Sequence, residues 1–251
     1  MSAPLMLEVD AVSKSFAIPS VRRDTVREHV LAAFKPRRFD QLQVLDGISF
    51  AVARGEAVGI MGRNGCGKST LLKILSGVYL PDRGTVQAHG SITPVLELGV
   101  GWNTELDAID NVMLIGSVMG MSIAEIRHSL DDILAFAELE RFAKLKLKHY
   151  SSGMSERLGY AIAFKAVRDV LILDEIFAVG DAGFKQRCEA RYLELRAHGH
   201  TAVIVSHDPR IIATYCDRAL LLDAGRVAFE GPARDVAAHY VSTLTHAGSA
   251  S

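Results

Sequence analysis

A chain of 251 residues is long enough to bury a full core, as one large domain or as one domain carrying an insertion. With 28 Lys+Arg against 29 Asp+Glu, the formal net charge is −1, so no broad basic footprint argues for nucleic acid. Apolar residues make up 49% and charged residues 23%, ordinary globular usage, and three widely spaced cysteines (Cys66, Cys188, Cys216) fit a reducing cytosol better than a disulfide scaffold or zinc site.

The first residues, MSAPLMLEVD, lack a basic start followed by an apolar core, so no signal peptide is expected. No window offers the ~18 consecutive apolar residues of a spanning helix; the uncharged stretch Val112 to Ala124 is too short. Leu5, Leu7 and Val9 alternate with polar or flexible neighbours and predict a half-buried strand, and a second strand is expected over Val44 to Val52. Between them, residues 17–43 read as an extra excursion with Pro19 and Pro36 near its ends. Its middle, DTVREHVLAAF, offers Asp24 or Thr25 as an N-cap and puts Val26, Val30 and Phe34 on one helical face. Arg22, Arg23, Arg27, Lys35, Arg37 and Arg38 surround that face. Such a helix suits a membrane interface or a phosphate group, and equally suits packing on its own sheet.

Ala57 to Met61 reads as a buried strand and Ser69 to Leu75 as a helix. The turn PDRG at 81–84 leads into short strands, and from about Gly99 to Ala166 the pattern turns helical, predicting an inserted subdomain. Strand patterns return with VLIL at 170–173, AVIVS at 202–206 and LLL at 220–222, and strands alternating with helices imply a mainly parallel sheet. A last helix is expected over about Ala233 to Leu244, followed by a flexible tail at 245–251.

The strongest chemical signal is GRNGCGKST at 62–70, set between the predicted strand and helix. Phosphates need several donors in a concave arrangement. Gly62, Gly65 and Gly67 let successive backbone N–H groups turn inward among Arg63, Asn64 and Cys66, and the following helix adds its N-terminal dipole. Lys68 would bridge the β- and γ-phosphates, and Ser69, followed by Thr70, would give its hydroxyl to Mg²⁺. Cys66, beside Lys68 and before a helix N-terminus, is expected to have a lowered thiol pKa, the alternative being a small buried filler. VLILDE at 170–175 is a strand ending in two carboxylates. Ligands sit at the carboxyl ends of parallel strands, so Asp174 is placed to hold Mg²⁺ and Glu175 to align or deprotonate the attacking water. YSSGMSERLGYAIAF at 150–164 opens a helix; a serine and the N–H groups there make either another anion site or a plain N-cap.

Taken in order and spacing, these segments resemble the ATP-binding subunits of ABC transporters over nearly the whole chain. Ser151, Ser152, Gly153 and Met154 stand where the family's signature commonly reads Ser-Gly-Gly-Gln, 23 residues before Asp174. AVGD at 178–181 resembles the loop whose aspartate, here Asp181, crosses the dimer interface. VSHD at 205–208 resembles the switch motif, so His207 would contact the γ-phosphate, and Phe16 holds the place of an aromatic residue stacked on adenine. One departure is that Glu97 stands where a glutamine is usual, with Asn103 a weaker candidate for that role; Glu97 would still reach Mg²⁺ or water.

The resemblance implies an α/β fold: a P-loop NTPase of ABC type, with a mainly parallel sheet core, an antiparallel β portion and an inserted α-helical subdomain, over residues 1–244 as one domain. It implies ATP hydrolysis with Mg²⁺, catalysed by Glu175, His207 and Lys68, in a homodimer where one copy's signature closes on the other's phosphate loop. LELGVGWNTEL at 96–106, DEIFAVGD followed by Gly183 and Phe184, and the basic excursion resemble ATPases of bacterial polysaccharide exporters (O-antigen, capsule or teichoic acid). That subfamily implies a peripheral protein on the cytoplasmic face of the inner membrane. Its partners would be two copies of an integral-membrane channel subunit, and its cargo a lipid-linked polysaccharide. An appended carbohydrate-binding domain is not expected after the last helix. An ABC importer ATPase is the nearer alternative; a soluble ABC ATPase acting on nucleic acid is opposed by the near-neutral charge.

Overall fold

A computed structural model describes residues 3–19, 39–95, 101–174 and 180–248. Nine strands and seven helices are described: β1 Leu5–Pro19, β2 Phe39–Ala53, β3 Ala57–Gly62, α1 Lys68–Leu75, β4 Arg83–Ala88, β5 Ile92–Val95, α2 Ala108–Val118, α3 Ile123–Ala137, α4 Ser152–Ala166, β6 Val170–Asp174, α5 Ala182–Ala197, β7 Thr201–Val205, α6 Pro209–Tyr215, β8 Arg218–Asp223, β9 Arg226–Pro232 and α7 Ala233–Gly248. A six-stranded sheet runs β5-β6-β7-β3-β8-β9, parallel except for the β8–β9 hairpin, and β2-β1-β4 form a separate antiparallel sheet.

The parallel strands are apolar on both faces because both are covered. Ala57, Met61, Leu171, Leu173, Ala202 and Ile204 face one core with Phe184 and Tyr192 of α5. Their neighbours Val58, Ile60, Val170, Ile172, Val203 and Val205 face the other, against β1, β2 and α1. The Val, Leu, Ile, Met and Phe side chains among them contribute about 1.5–3 kcal/mol each on burial, which makes the rim of this sheet a rigid place for chemistry.

The predicted helical insertion is α2, α3 and α4, with its own core of Val112, Ile126, Ile133, Leu158 and Ile162. Ser122 and Glu125 form a reciprocal capping box that starts α3. Helix α4 is shared: Tyr160, Ala163 and Phe164 pack on the sheet core, while Leu158, Ala161 and Ile162 pack in the insertion.

Two expectations change. The excursion at 17–43 begins and ends as strand, since Phe16 pairs with Leu42, Ala17 with Gln41 and Ile18 with Asp40. Cross-strand pairing continues the hairpin up to Pro19 opposite Phe39, proline being a residue suited to a strand end. The basic helical stretch around Val26, Val30 and Phe34 lies outside the described residues. At the far end, α7 continues through Gly248 rather than stopping at Leu244, because Ala247 is a strong helix former. No described helix is long and apolar enough to cross a membrane.

Candidate active site

The phosphate loop joins β3, all six residues of which are buried, to α1. Gly62 has φ 154°, and a Cβ there would run into the Leu222 carbonyl. Gly67 has φ 109°, and its Cβ would lie 2.7 Å from Leu45 Cδ2 and 2.8 Å from the Val44 carbonyl oxygen. Glycine at both positions is therefore a steric demand of the loop. Arg63, Asn64, Gly65 and Ser69 are exposed on the lip, Cys66 and Lys68 lie buried beneath it, and Thr70 is half-buried. Lys68 Nζ donates to the Gly62 carbonyl at 2.7 Å and to the Arg63 carbonyl at 3.1 Å, which holds the ammonium inside the loop. Helix α1 has neither a side-chain cap nor an acidic residue in its first turn, so its N-terminal partial charge faces the loop.

Register brings the other residues to the same rim. Ile60 pairs with Val205, and Val205 with Asp174, across parallel strands. Strands lie ~4.8 Å apart, so Asp174 ends β6 two spacings from β3. Ser206 and His207 follow β7 between them, with Ser206 N donating to the Ile60 carbonyl at 3.3 Å and His207 exposed. Ser69 and Asp174 thus offer a hydroxyl and a carboxylate, hard oxygen donors that suit Mg²⁺. Among the described residues no group of three or more His, Cys, Asp and Glu is placed to hold a metal ion. Glu175 and Glu97 lie outside the described residues. Asn103 is used locally, its Oδ1 accepting from Glu105 N at 3.0 Å.

The signature segment does open a helix. Ser151 is the N-cap of α4, and its Oγ accepts from Met154 N at 3.2 Å, so this serine is at least a cap. Ser152 is exposed and Gly153 and Met154 half-buried in the first turn. Asp181 caps α5, accepting from Phe184 N at 2.9 Å, and pairs with Arg157 of α4. The Phe184 N–H and then the Arg157 guanidinium hold its carboxyl below the usual range. Arg157 also pairs with Glu138 at the end of α3, at 2.5 Å, and lies 5.2 Å from the Phe184 ring centroid. It ties the signature helix to the loop before α5. That tie escapes sequence reading, because its partners lie 19 and 24 residues away and no local pattern announces them.

The thiol expectation is corrected. Burial pushes Cys66 up, and this outweighs the opposing effect of Lys68; the charge of Asp223 adds to it. Burial also pushes Cys188 and Cys216 to about 12. At pH 7 the folded protein is therefore expected to leave all three unmodified by maleimide while a peptide thiol labels fully, and to label on unfolding. Prompt modification of Cys66 in the folded state, found by mass mapping, would contradict the burial argument.

The family model described as ABC transporter matches residues 45–178. The O-antigen export system ATP-binding protein RfbB of Myxococcus xanthus is 36% identical over 240 residues, covering 93% of this chain and 55% of that protein. The ABC transporter protein AbcA of Aeromonas salmonicida is 39% identical over 245 residues, covering 97% of this chain and 78% of that protein. The teichoic acids export ATP-binding protein TagH of Lactiplantibacillus plantarum is 39% identical over 196 residues, 78% of this chain and 54% of that protein. The chain thus spans about half the length of RfbB and TagH. Among solved structures, the dimeric post-hydrolysis state of the ATP-binding cassette MJ0796 bound to ADP and Pi shares the fold, with TM-score 0.73 and 24% identity over 91% of this chain and 99% of that one.

Proposed function

Because this chain belongs to the ABC transporter family, we propose that it is the ATP-hydrolysing subunit that drives export of a lipid-linked polysaccharide through a separate membrane channel. The observation that carries the reading is the likeness to an O-antigen export ATP-binding protein along 93% of the chain. On this reading the protein sits peripherally at the cytoplasmic face of a bacterial inner membrane and works as a homodimer on two channel subunits.

In the proposed cycle the N–H groups of the 62–70 loop and the Lys68 ammonium receive the phosphates of ATP. Ser69 and Asp174 would hold Mg²⁺, which neutralises phosphate charge when bound. Glu175 takes the proton of the attacking water, and His207 at the end of β7 holds the γ-phosphate. Ser151, Ser152, Gly153 and Met154 face the same phosphate from the opposing copy, so the interface is isologous and carries two sites. Because α4 is packed into both cores, closing on a partner's nucleotide moves the insertion with it. The Arg157 pairs with Asp181 and Glu138 make the loop before α5 move too.

Deleting the gene in the source bacterium is expected to remove a surface polysaccharide and leave its lipid-linked precursor inside the cell. The wild-type gene, but not Lys68→Ala, restores export. A deletion strain with normal surface polysaccharide would defeat the export reading, while ATP hydrolysis by the purified protein tests the ATPase reading separately.

A further inference from the structure

The loop after α1 runs Gly77-Val78-Tyr79-Leu80-Pro81 and puts three bulky side chains in a row. Val78 is 63% and Leu80 80% exposed, whereas Tyr79 is half-buried. Its ring meets Phe16 of β1 edge-on, with centroids 5.8 Å apart and planes at 65°. Lys73 of α1 places its ammonium 5.7 Å from the Tyr79 centroid. Lys14 lies 5.7 Å from the Phe16 centroid.

The same loop is clamped to the strand that carries Phe16. Asp82 Oδ1 accepts from Lys14 Nζ at 2.7 Å, and Oδ2 accepts from Ser15 N at 2.7 Å and Ser15 Oγ at 3.0 Å. Asp82 N in turn donates to the Ser13 carbonyl at 2.8 Å. The Lys14 and Ser15 donors hold the Asp82 carboxyl down to about 2, so the clamp is ionised at any working pH. Backbone and ring of Phe16 are thus held from one short loop that grows out of the phosphate-binding helix.

We propose that Tyr79 is a positioning residue for the nucleobase of ATP: by fixing the tilt of the Phe16 ring it sets the affinity for the base, and Asp82 holds the two loops in register. This rests on the reading that Phe16 stacks on adenine. Edge-to-face aromatic pairs have preferred geometry, so a ring held in one orientation loses less freedom when a base stacks on it. The cations over this ring pair are Lys14 and Lys73, both outside the 62–70 loop. The effect should therefore follow the base and not the phosphates.

The test is competition of ATP and of inorganic tripolyphosphate, which has no base, against a fluorescent ATP analogue on the purified chain. Tyr79→Ala is expected to weaken ATP roughly threefold to tenfold, to leave tripolyphosphate binding unchanged, and to raise KM with kcat at saturation retained. Tyr79→Phe keeps wild-type affinity; should Tyr79→Ala impair folding, Tyr79→Leu, which keeps bulk without a ring, is expected to weaken ATP to the same extent. Phe16→Ala separates the two readings. If it weakens ATP while Tyr79→Ala and Tyr79→Leu do not, stacking stands and the positioning role falls. If Phe16→Ala changes nothing, stacking falls and takes the positioning role with it. Equal weakening of ATP and tripolyphosphate by Tyr79→Ala would mean the loop shapes the phosphate site, and overturns the inference.

Discussion

Glu175→Gln is expected to bind ATP as the wild type does and to lose about 10²- to 10⁴-fold in steady-state phosphate release, the range for removing a general base. The expectation follows from the proposed role of Glu175 and from its neighbour Asp174, which ends β6 on the rim shared with the phosphate loop. Glutamine keeps the size and polarity of glutamate but accepts no proton at neutral pH. With hydrolysis stopped, the ATP-bound dimer should persist and elute as a dimer in size-exclusion chromatography with ATP and Mg²⁺. Turnover near that of the wild type would remove Glu175 from the catalytic role.

Gly153→Asp is expected to spare nucleotide binding by the monomer and to abolish hydrolysis. Nothing lies within 4 Å of where a Cβ at Gly153 would stand, so the side chain fits. An acidic residue in the first turn of α4 also suits the helix dipole. On the proposed dimer the defect would then arise across the interface, where the carboxylate would face the partner's γ-phosphate. Two like unit charges ~4 Å apart near a surface repel by about 4 kcal/mol, close to a thousandfold in dimer closure. Binding of a fluorescent ATP analogue with hydrolysis lost is the expected pair of results. Loss of analogue binding would point to misfolding, and retained hydrolysis would take the signature away from the partner's site.

The readings at Gly153 and Glu175 differ from Arg157 in resting on short segments whose chemistry is local: a helix start, and an apolar stretch followed by two carboxylates. Arg157, Asp181 and Glu138 form one group only because α3, α4 and the loop before α5 converge. Tyr79 meets Phe16 only because its loop folds against β1, where Asp82 clamps it to Lys14 and Ser15. Cys66 was misjudged from sequence for a related reason. Its neighbours Lys68 and the helix start are visible in the chain, but the burial that outweighs them comes from packing among distant strands.

Sequence by itself determined the strand–loop–helix at 57–75, the order along the chain of strands and helices in the parallel core, and the helix start at Ser151. These rest on periodicity, glycine spacing and residue type, all properties of neighbouring residues. Tertiary structure alone decided that β1 and β2 run on to Pro19 and Phe39, because that extension is held by cross-strand pairing. It also decided that α4 belongs to two cores at once, that Lys68 is held by the Gly62 and Arg63 carbonyls, and that Asp174 and Gly62 share a rim. Each of these is a contact between residues far apart in the chain, fixed by packing and register rather than by any local preference.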